Sequence, residues 1–339
     1  MHVKWLSSIG LAKAAGLLVL FVLSACGPQT PPQLPESAGL SEAVKSTRDP
    51  HHLVVGYSQI GAESEWRTAN TTSIKEEAER LGIELIFSDA QQKQENQIKA
   101  IRSFIAQQVD LIGVSPVVET GWEDVFREAK AAGIPVILVD RRARVSEDMY
   151  VTFIGSDFIE EGRNAGRVMV GLLAGRGKIV ELVGTIGSAP ANDRYVGFRQ
   201  ILQDYPEMKI IDSQSGDFTR AKGKEVMEDF LRRYGKEINA VYAHNDDMAI
   251  GAIKAIEAYG LKPGSDIKIV SVDAARGAFE AMIAGKLNAT VECNPLLGPQ
   301  FFDLALKVVN GEEVPKRIKS EETIFFPHNA AEILPTRKY

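Results

Sequence analysis

The amino-acid sequence predicts an α/β fold of two similar lobes, each built around a doubly wound parallel sheet. Short apolar segments alternate repeatedly with longer segments of helical pattern. The short segments are apolar throughout, which is typical of parallel strands covered by helices on both faces. The alternation starts again at Phe158, so the chain contains two successive units of this kind.

The first unit extends from Leu53 to Ile154. Its predicted strands are 53–57, 83–87, 111–114, 135–139 and 150–154. Its predicted helices are 66–81, 94–107 and 122–132. Gly82 and Gly133 directly follow two of these helices, and glycine favours the left-handed backbone that ends a helix.

The second unit repeats the alternation of the first. Its predicted helices are 158–174, 193–205, 222–234 and 248–259. Its predicted strands are 178–183, 209–213, 240–243 and 267–272. In doubly wound sheets of this type, ligands bind outside the carboxyl ends of the strands. The residues that follow the strands are therefore the candidates for a binding site.

Residues 1–25 have the features of an export signal. Lys4 and Lys13 give a positive start, an apolar run covers 14–23, and the segment Leu23-Ser24-Ala25-Cys26 follows. The apolar run is too short to span a bilayer comfortably. A cysteine at this place predicts a bacterial lipoprotein that is cleaved before Cys26 and acylated on it, which holds the protein on a membrane. The alternatives are a signal peptide with a chance cysteine and an uncleaved anchor.

Residues 26–52 predict a tether between the membrane and the folded body. Prolines are concentrated in 28–35, and large apolar side chains are almost absent from the segment. Such a composition cannot bury a core. We therefore expect this segment to provide reach and no recognition.

Charge and cysteine content argue against a nucleic-acid-binding protein and against a disulfide-stabilised protein. The formal net charge is −6, and lysine and arginine are scattered along the chain, which argues against a nucleic-acid partner. Cys293 is the other of the 2 cysteines, so with Cys26 acylated no disulfide framework can form. We expect a monomer whose fold depends on its core alone.

Polar side chains follow the predicted strands of both units. In the first unit, Trp66-Arg67 comes after the first strand and Asp140-Arg141 after the fourth. In the second unit, Arg194, Asn245 and Asp273 come after successive strands. The carboxyl ends of parallel strands lie at one edge of a sheet, so these two sets face each other if the lobes close.

This set of side chains suits a neutral ligand with several hydroxyl groups. A carboxylate accepts hydroxyl protons, a guanidinium donates in a rigid fork, and an amide does both. An indole ring such as that of Trp66 stacks on the apolar face of a sugar. Carboxylates would repel an anionic ligand. The residues therefore favour a monosaccharide over a phosphate or carboxylate ligand.

Each of these residues also has a purely structural interpretation. Trp66 lies near a helix start and can belong to the core, and Asp140-Arg141 can form a turn or a structural ion pair. Asp246 is favoured as the cap of the helix that begins there, which leaves Asn245 as the better ligand candidate. Their common position at strand ends is what favours a binding site.

Catalytic and metal chemistry find no support in the sequence. Asp246 and Asp247 are adjacent at a helix start and point in different directions, so they do not form a paired acid and base. The chain has 5 histidines, and apart from His51-His52 in the tether none stands at ligand spacing with a cysteine or a carboxylate. No nucleophile elbow or phosphate loop is present. We expect no enzyme activity, no metal and no cofactor.

Several segments of the chain carry a more specific signal. They are Gly56-Tyr57-Ser58-Gln59, Glu63-Ser64-Glu65-Trp66-Arg67, 91–97, 115–118 with Gly121-Trp122, 214–220 and His244-Asn245-Asp246-Asp247-Met248. Together they resemble the ribose/galactose-type periplasmic binding proteins, the substrate-binding subunits of sugar ABC transporters. The resemblance runs from about Leu53 to Phe326, and it is greatest to the members that bind galactofuranose.

The resemblance implies a type I periplasmic binding protein fold, in which a three-segment hinge joins the lobes. The chain would cross the hinge near Gly155-Ser156, Glu292-Cys293 and Phe325-Phe326. The first lobe would then comprise 53–156 plus about 294–324. The second lobe would comprise 157–293 plus about 325–339.

The resemblance also implies which residues contact the sugar. In the first lobe these are Trp66, Arg67, Asp140 and Arg141, and in the second lobe they are Arg194, Asn245 and Asp273. The family usually adds a polar residue at the hinge. This chain has Val291-Glu292-Cys293-Asn294 there, with a cysteine near the expected amide, so Glu292 is included as a further candidate.

The expected function is that of an extracytoplasmic, lipid-anchored solute-binding protein. It would bind a monosaccharide, galactofuranose or a related aldose, and deliver it to the permease of an ABC importer. A sugar-sensing subunit for a chemoreceptor or sensor kinase would have the same domain. A repressor's effector domain would need a helix-turn-helix where Cys26 and the tether stand, and an enzyme would convert the sugar to a product.

Overall fold

The computed structural model describes residues 53–339, so the predicted signal peptide, Cys26 and the tether lie outside the described residues. The described part forms two α/β lobes, and each lobe contains a 6-stranded sheet. This architecture confirms the predicted fold class. None of the helices in 53–339 has both the length and the hydropathy that a membrane span requires.

The first lobe is built on an all-parallel sheet. Its strands are β1 (Val54–Gln59), β2 (Glu84–Asp89), β3 (Leu111–Val114), β4 (Val136–Val139), β5 (Thr152–Gly155) and, late in the chain, β11 (Arg317–Lys319). Its helices are α1 (Glu65–Leu81), α2 (Gln94–Ala106), α3 (Glu123–Ala131) and α9 (Gly298–Val309). The strand order is β11-β5-β4-β3-β1-β2.

The second lobe repeats the same succession of strands. Its strands are β6 (Arg176–Val183), β7 (Glu207–Ser215), β8 (Ala240–Ala243), β9 (Lys268–Asp273), β10 (Ala289–Glu292) and β12 (Ile324–Phe325). Its helices are α4 (Phe158–Leu173), α5 (Ala189–Leu202), α6 (Arg220–Tyr234), α7 (Asp246–Ala258), α8 (Arg276–Ile283) and α10 (Pro327–Ile333). The order is β12-β10-β9-β8-β6-β7, and β12 pairs antiparallel with β10.

The chain crosses between the lobes at three places. The first crossing follows Gly155 and the second follows Glu292. The third lies between Lys319 in the first sheet and Ile324 in the second, a few residues before the expected Phe325-Phe326. This correction follows from pairing, because Ile324 already lies opposite Val291 of β10. A strand as short as β12 leaves no periodicity in the sequence.

Two of the helices that begin earlier than the sequence pattern predicts, α5 and α7, lie beside candidate ligand residues. Helix α5 begins at Ala189, and the Ser188 hydroxyl caps it by accepting a hydrogen bond from the amide of Ala191. Pro190 is compatible with this start, because the first helical turn needs no amide donor. Helix α7 begins at Asp246 instead of Met248. Both shifts bring a candidate ligand residue into, or next to, the first turns of a helix.

Helices cover both faces of the sheet in the first lobe. One face packs against Trp122 and Phe126, and the other packs against Phe301 and Phe302 of α9. The rings of Tyr57 and Phe301 meet edge to face, with centroids 5.4 Å apart. Burial of these aromatic side chains provides a large apolar driving force. It explains why α9, although late in the chain, returns to the first lobe.

Helices α4 and α5 of the second lobe approach closely enough to require glycine. A Cβ atom at Gly197 would lie 2.0 Å from the carbonyl oxygen of Ile159, and one at Gly162 would lie 2.5 Å from that of Arg194. No side chain fits at such distances without movement of the backbone. The close approach places Glu161 of α4 beside Arg194 of α5.

We predict that Gly197→Ala destabilises the protein although alanine favours helices. The added methyl group would force α4 and α5 apart, and overpacking of this kind costs roughly 1–3 kcal/mol of unfolding free energy. Urea unfolding measures this change. Gly171→Ala is the matched control, because a Cβ atom there meets nothing within 4 Å, and it should stabilise by up to about 1 kcal/mol. Equal effects of the two substitutions would contradict the close approach.

Candidate ligand-binding cleft

Residues that follow the strands of both lobes meet in one cavity between the lobes. The lining residues are Glu63, Ser64, Trp66, Arg67, Asp140, Arg141, Phe158, Pro190, Arg194, Phe218, Asn245, Asp273 and Cys293. All the predicted ligand-binding residues except Glu292 are among them. These predicted residues are buried. The lobes therefore enclose a set of polar groups that lie far apart in the sequence.

A larger groove lies beside this cavity. The cavity has a volume of about 20 Å³, whereas the groove, lined by residues such as Glu76, Arg80 and Glu280, has about 930 Å³. We assign ligand binding to the smaller one, because convergent buried donors and acceptors fix a ligand better than open space does. Its small size means that the lobes must part to admit a sugar ring.

The first turn of α1 carries Trp66 and Arg67 into the cleft. The Ser64 hydroxyl caps this helix by accepting a hydrogen bond from the amide of Arg67, at 3.1 Å. The indole nitrogen of Trp66 donates to the carbonyl oxygen of Cys293 at 2.6 Å. The ring is therefore fixed to the second hinge segment, which sequence reasoning did not anticipate.

Arg67 is the centre of a buried network in the first lobe. Its guanidinium donates to Asp140 at 2.7 Å, to Glu63 at 3.1 Å and to the side chain of Gln59 at 3.3 Å. Burial opposes the charge, but Asp140 and Glu63 outweigh it and raise the pKa of Arg67 above its usual value. The network holds the Asp140 carboxylate in one orientation.

Two buried polar atoms at the cavity have no hydrogen-bond partner among the described residues. They are Nε of Arg141 and Oε2 of Glu63. Burial, with the like charge of Arg67, lowers the pKa of Arg141 to about 10, so the guanidinium remains charged at neutral pH. Unsatisfied buried groups are costly unless a ligand completes them. One free donor and one free acceptor match a hydroxyl group, which can both accept and donate.

Asp140 and Asp273 occupy equivalent places, each at the end of the fourth strand of its unit, and both have unusual backbone conformations. Their φ angles are 65° and 124°. Positive φ is uncommon for residues other than glycine and concentrates at functional sites. Gly155 packs against the Asp140 backbone, where a Cβ atom would lie 2.8 Å from the Asp140 carbonyl oxygen. The turn therefore aims each carboxylate into the cleft.

Arg194 organises the second-lobe side of the cavity. It donates to Glu161 at 2.6 Å and to the His244 carbonyl oxygen at 2.6 Å, and its Nη2 lies 3.7 Å from Oδ1 of Asp273. Burial opposes its charge, but Glu161, Cys293 and Asp273 raise the pKa of Arg194 well above its usual value. Burial raises the pKa of Asp273, which moves that carboxyl towards its neutral form.

The capping role expected of Asp246 needs correction. Asn245 is the cap of α7, since its side chain accepts from the amide of Met248 at 3.0 Å and donates to the Phe218 carbonyl oxygen at 3.0 Å. Asp246 instead accepts hydrogen bonds from Ser271, Thr290 and the amide of Ala275. Asn245 still lines the cavity, so capping and ligand contact are compatible there.

The expectation for Glu292 also needs correction. Its side chain lies outside the cavity and accepts hydrogen bonds from Arg337 at 2.7 Å and from Tyr339 at 3.0 Å. The neighbouring Cys293 lines the cavity in its place. Successive residues of an extended segment point to opposite sides, so only one of the pair can face the ligand.

Sequence reasoning missed five of the lining residues. Phe158 and Phe218 add aromatic faces, with the guanidinium groups of Arg194 and Arg141 at 5.2 and 5.1 Å from their ring centroids. Pro190, Ser64 and Glu63 complete the wall. Phe218 and Glu63 lie within the segments that carry the resemblance, which was the available signal. Phe158 had none, because its position after the hinge depends on the tertiary structure.

The second-lobe cluster continues beneath the cavity through His244. The His244 ring lies 3.2 Å from Glu181, which also accepts two hydrogen bonds of 2.8 Å from Arg199. Burial opposes the charge of Glu181, but His244 and Arg199 lower its pKa to about 2. The Glu181 carboxylate thus holds the His244 ring in place, and the His244 carbonyl oxygen in turn accepts a hydrogen bond from Arg194.

These features define the class of protein, and comparison with known families agrees. The family model described as "Periplasmic binding protein domain" matches residues 55–313. The chain therefore belongs to the periplasmic binding protein family, which places it outside the cytoplasm. It is a solute-binding protein and not an enzyme.

Three similar proteins indicate which sugars relatives of this chain bind. The galactofuranose-binding protein YtfQ of Escherichia coli (strain K12) is 47% identical over 306 residues, which cover 89% of this chain and 96% of the relative. The structure of the arabinose ABC transporter's periplasmic binding protein from Shewanella sp. ANA-3, bound to α- and β-L-arabinofuranose, is 50% identical with a TM-score of 0.82, covering 84% and 95%. A Mycobacterium smegmatis structure in complex with β-D-fucofuranose is 54% identical with a TM-score of 0.83, covering 85% and 95%. The resemblance noted from the sequence is confirmed.

We predict that Glu181→Gln lowers the free energy of unfolding at neutral pH. It should also make that free energy depend less on pH in the acid range. The folded-state pKa of Glu181, about 2, lies below the ordinary value of 4.5, so its carboxylate stabilises the fold above pH 4.5. That contribution disappears as the pH falls towards 2. Loss of the Glu181 charge breaks its contacts with Arg199 and His244, which should cost roughly 3–5 kcal/mol of unfolding free energy at pH 7.

Thermal unfolding between pH 7 and pH 2 measures both effects. The difference between wild type and Glu181→Gln should shrink as the pH falls. Glu237→Gln is the control, because it removes an exposed ion pair with Lys178 and should change little. A difference that stays constant over this range would contradict the assigned role of Glu181.

Proposed function

We propose that this protein binds a monosaccharide in its furanose form, galactofuranose or a related aldose, in the cleft and delivers it to an ABC importer. The observation that carries the proposal is the pair of unpartnered atoms at the cavity, Nε of Arg141 and Oε2 of Glu63. A sugar hydroxyl satisfies both kinds of group, whereas an apolar ligand satisfies neither.

The rest of the cavity suits the two faces of a sugar ring. The carboxylates of Asp140 and Asp273 accept hydroxyl protons, and Asn245 adds an amide. The rings of Trp66 and Phe158 give apolar surface for the C–H face. The guanidinium groups of Arg67, Arg141 and Arg194 already face carboxylates of the protein, so a neutral ligand leaves these pairs intact.

The relatives support the furanose form. Galactofuranose, arabinofuranose and fucofuranose are the sugars named for the relatives described above. All three are five-membered rings, which differ in their substituents and share the compact ring that a small cavity favours. We therefore propose selection for the ring form first and for the particular sugar second.

Contacts on both sides of the cavity hold the lobes together. On one side, the Glu119 amide donates to the Gly187 carbonyl oxygen at 2.9 Å, and Arg142 forms a bidentate pair with Asp193. On the other side, Asp247 accepts from the Glu65 amide at 2.7 Å. These contacts exist only when the lobes are close. Because they stabilise the closed arrangement, they contribute to sugar affinity.

The proposal extends to the membrane. A lipid on Cys26, as the sequence predicts, would hold the protein beside its permease, and the tether would let the closed form reach it. Closure presents both lobes on one face, which is the form that a permease would select. This places the site of recognition in the cleft and the site of delivery on the outer surface of the lobes.

We predict that the protein binds furanose sugars reversibly and without converting them. Titration calorimetry against a panel of monosaccharides, with Trp66→Ala and Asp140→Asn, tests this. Asp140→Asn keeps the shape and the left-handed backbone and removes the charge, so affinity should fall about 10–100-fold. Trp66→Ala should cost about tenfold or more through lost stacking.

Asp148→Ala is the control for these variants, because Asp148 forms an exposed ion pair with Lys130 in the same lobe. It should leave affinity unchanged. Unchanged binding by both cleft variants, with folding verified by thermal unfolding, would place the binding site elsewhere. Absence of binding to every sugar of the panel would reject the function itself.

We predict that Asp193→Asn weakens sugar binding without touching the ligand. Asp193 loses its charge-assisted bidentate pair with Arg142 across the lobes, so the closed form is less populated. Affinity should fall about three- to tenfold, while the unfolding free energy stays within about 0.5 kcal/mol of wild type. Glu128→Gln, which removes the exposed same-lobe pair with Arg102, should leave affinity unchanged. Equal affinities for the two variants would show that this contact does not contribute to closure.

A further inference from the structure

The hinge contains a cluster of potential metal ligands next to the sugar cavity. Among residues 53–339, one group of this kind is found, formed by Glu161, Cys293 and Glu322, whose ligand atoms all lie within 4.8 Å of one another. Ser156 joins it, with its hydroxyl 3.3 Å from the Cys293 sulfur and in contact with the Glu322 carboxylate. We call these residues the hinge cluster.

The hinge cluster draws on every crossing between the lobes. Ser156 lies in the first crossing, Cys293 in the second and Glu322 in the third. Glu161 projects from the first turn of α4, which begins directly after the first crossing. The residues lie far apart in the sequence, which is why their spacing gave no sign of a metal site.

One carboxylate oxygen of the cluster is left without a full hydrogen bond. Oε2 of Glu161 accepts from Arg194 at 2.6 Å, whereas Oε1 is buried and has no partner at full hydrogen-bond geometry among the described residues. The Cys293 thiol is the donor that stands next to this carboxylate. The Glu161 side chain is 1% exposed, so water does not satisfy this oxygen from the surface. A buried acceptor of this kind is costly unless a proton donor or a cation completes it.

The acidic groups of the cluster crowd one another. Arg194 supplies one positive charge beside them. With the thiol and both carboxyl groups deprotonated, the cluster carries three negative charges, and the one positive charge of Arg194 beside it also faces Asp273. A divalent cation supplies the two further positive charges that the cluster then needs.

We propose that Glu161, Cys293 and Glu322 bind one divalent cation of the zinc type. The cation would use Oε1 of Glu161, so the bond from Arg194 to Oε2 is retained. Thiolate sulfur and carboxylate oxygen together suit Zn²⁺ or Cd²⁺ better than Mg²⁺ or Ca²⁺. On binding, the Cys293 thiol releases its proton to solvent, Glu161 and Glu322 bind as carboxylates, and the Ser156 hydroxyl or a water takes the fourth position.

The geometry requires a modest contraction. Zinc bonds of about 2.0–2.3 Å place tetrahedral ligand atoms about 3.3–3.8 Å apart, so the widest separation in the cluster must close by roughly 1 Å. Rotation of the Glu322 side chain, which is partly exposed, provides this. The bound cation would tie α4 to the second and third crossings and thereby restrain the hinge.

The test uses the full-length protein with Cys26→Ser, which leaves Cys293 as the one thiol of the chain. Titration with Cd²⁺ is followed by the ultraviolet sulfur-to-metal charge-transfer absorption, which reports thiolate ligation and is silent for metal on the histidines of the tether. The absorption should saturate at one equivalent, and Zn²⁺ should compete it away. Cys293→Ser should abolish it.

Glu322→Gln should weaken Cd²⁺ affinity at least tenfold, since it removes an anionic ligand without changing shape. Glu321→Gln is the matched control, because Glu321 is the neighbour of Glu322, is exposed and lies outside the cluster. Glu161→Gln provides a second ligand variant if Glu322→Gln fails to fold.

Two results would overturn the proposal. One is the absence of saturable charge-transfer absorption in the parent protein. The other is an affinity for Cd²⁺ that Glu322→Gln or Glu161→Gln, verified as folded, leaves equal to that of Glu321→Gln. Both readouts are independent of sugar binding, so failure here is distinguishable from failure of the proposed transport function.

Discussion

The pairing of buried arginines with carboxylates at the strand ends is the interaction on which the cleft depends. Arg67 lies between Asp140 and Glu63, and Arg194 lies between Glu161 and Asp273. An unpaired charge at such depth would cost several kcal/mol, so each guanidinium must be surrounded by acceptors before any ligand arrives. The parallel sheets supply those acceptors at one edge of each lobe. The cleft is therefore organised by the protein itself, and the sugar need only complete it.

Backbone features of the fold serve the same arrangement. The glycine contact between α4 and α5 sets the distance from Glu161 to Arg194, and positive φ at Asp140 and Asp273 turns both carboxylates inwards. The Trp66 indole is tied to the hinge through the Cys293 carbonyl oxygen. Because ligand contacts, hinge and helix packing share residues, a change in any one of them alters the others.

The sequence was sufficient for the architecture and for most of the cleft. Apolar strands and the strand-end rule located Asp140, Arg194 and Asp273, because both signals are local. Contacts between distant segments left no such signal. The pairing of Glu292 with Arg337 and the position of Phe158 depend on how the hinge segments lie in three dimensions. The start of α5 was misplaced because Ser188 and Pro190 are typical of a loop as well as of a helix start, and the two-residue β12 is too short to show a pattern.

The contacts between the lobes form when the cleft closes, so binding of a ligand changes the arrangement of the two lobes. On the outer surface, a filled cleft differs from an empty one only in the distance between the two lobes. That distance is nearly the same for any sugar that allows the lobes to close. A partner that touches both lobes from outside would thus sense whether the protein is filled and remain blind to what fills it. Discrimination among sugars would then reside entirely in this chain, and substitutions in the cleft could redirect an importer to another cargo without any change in the importer.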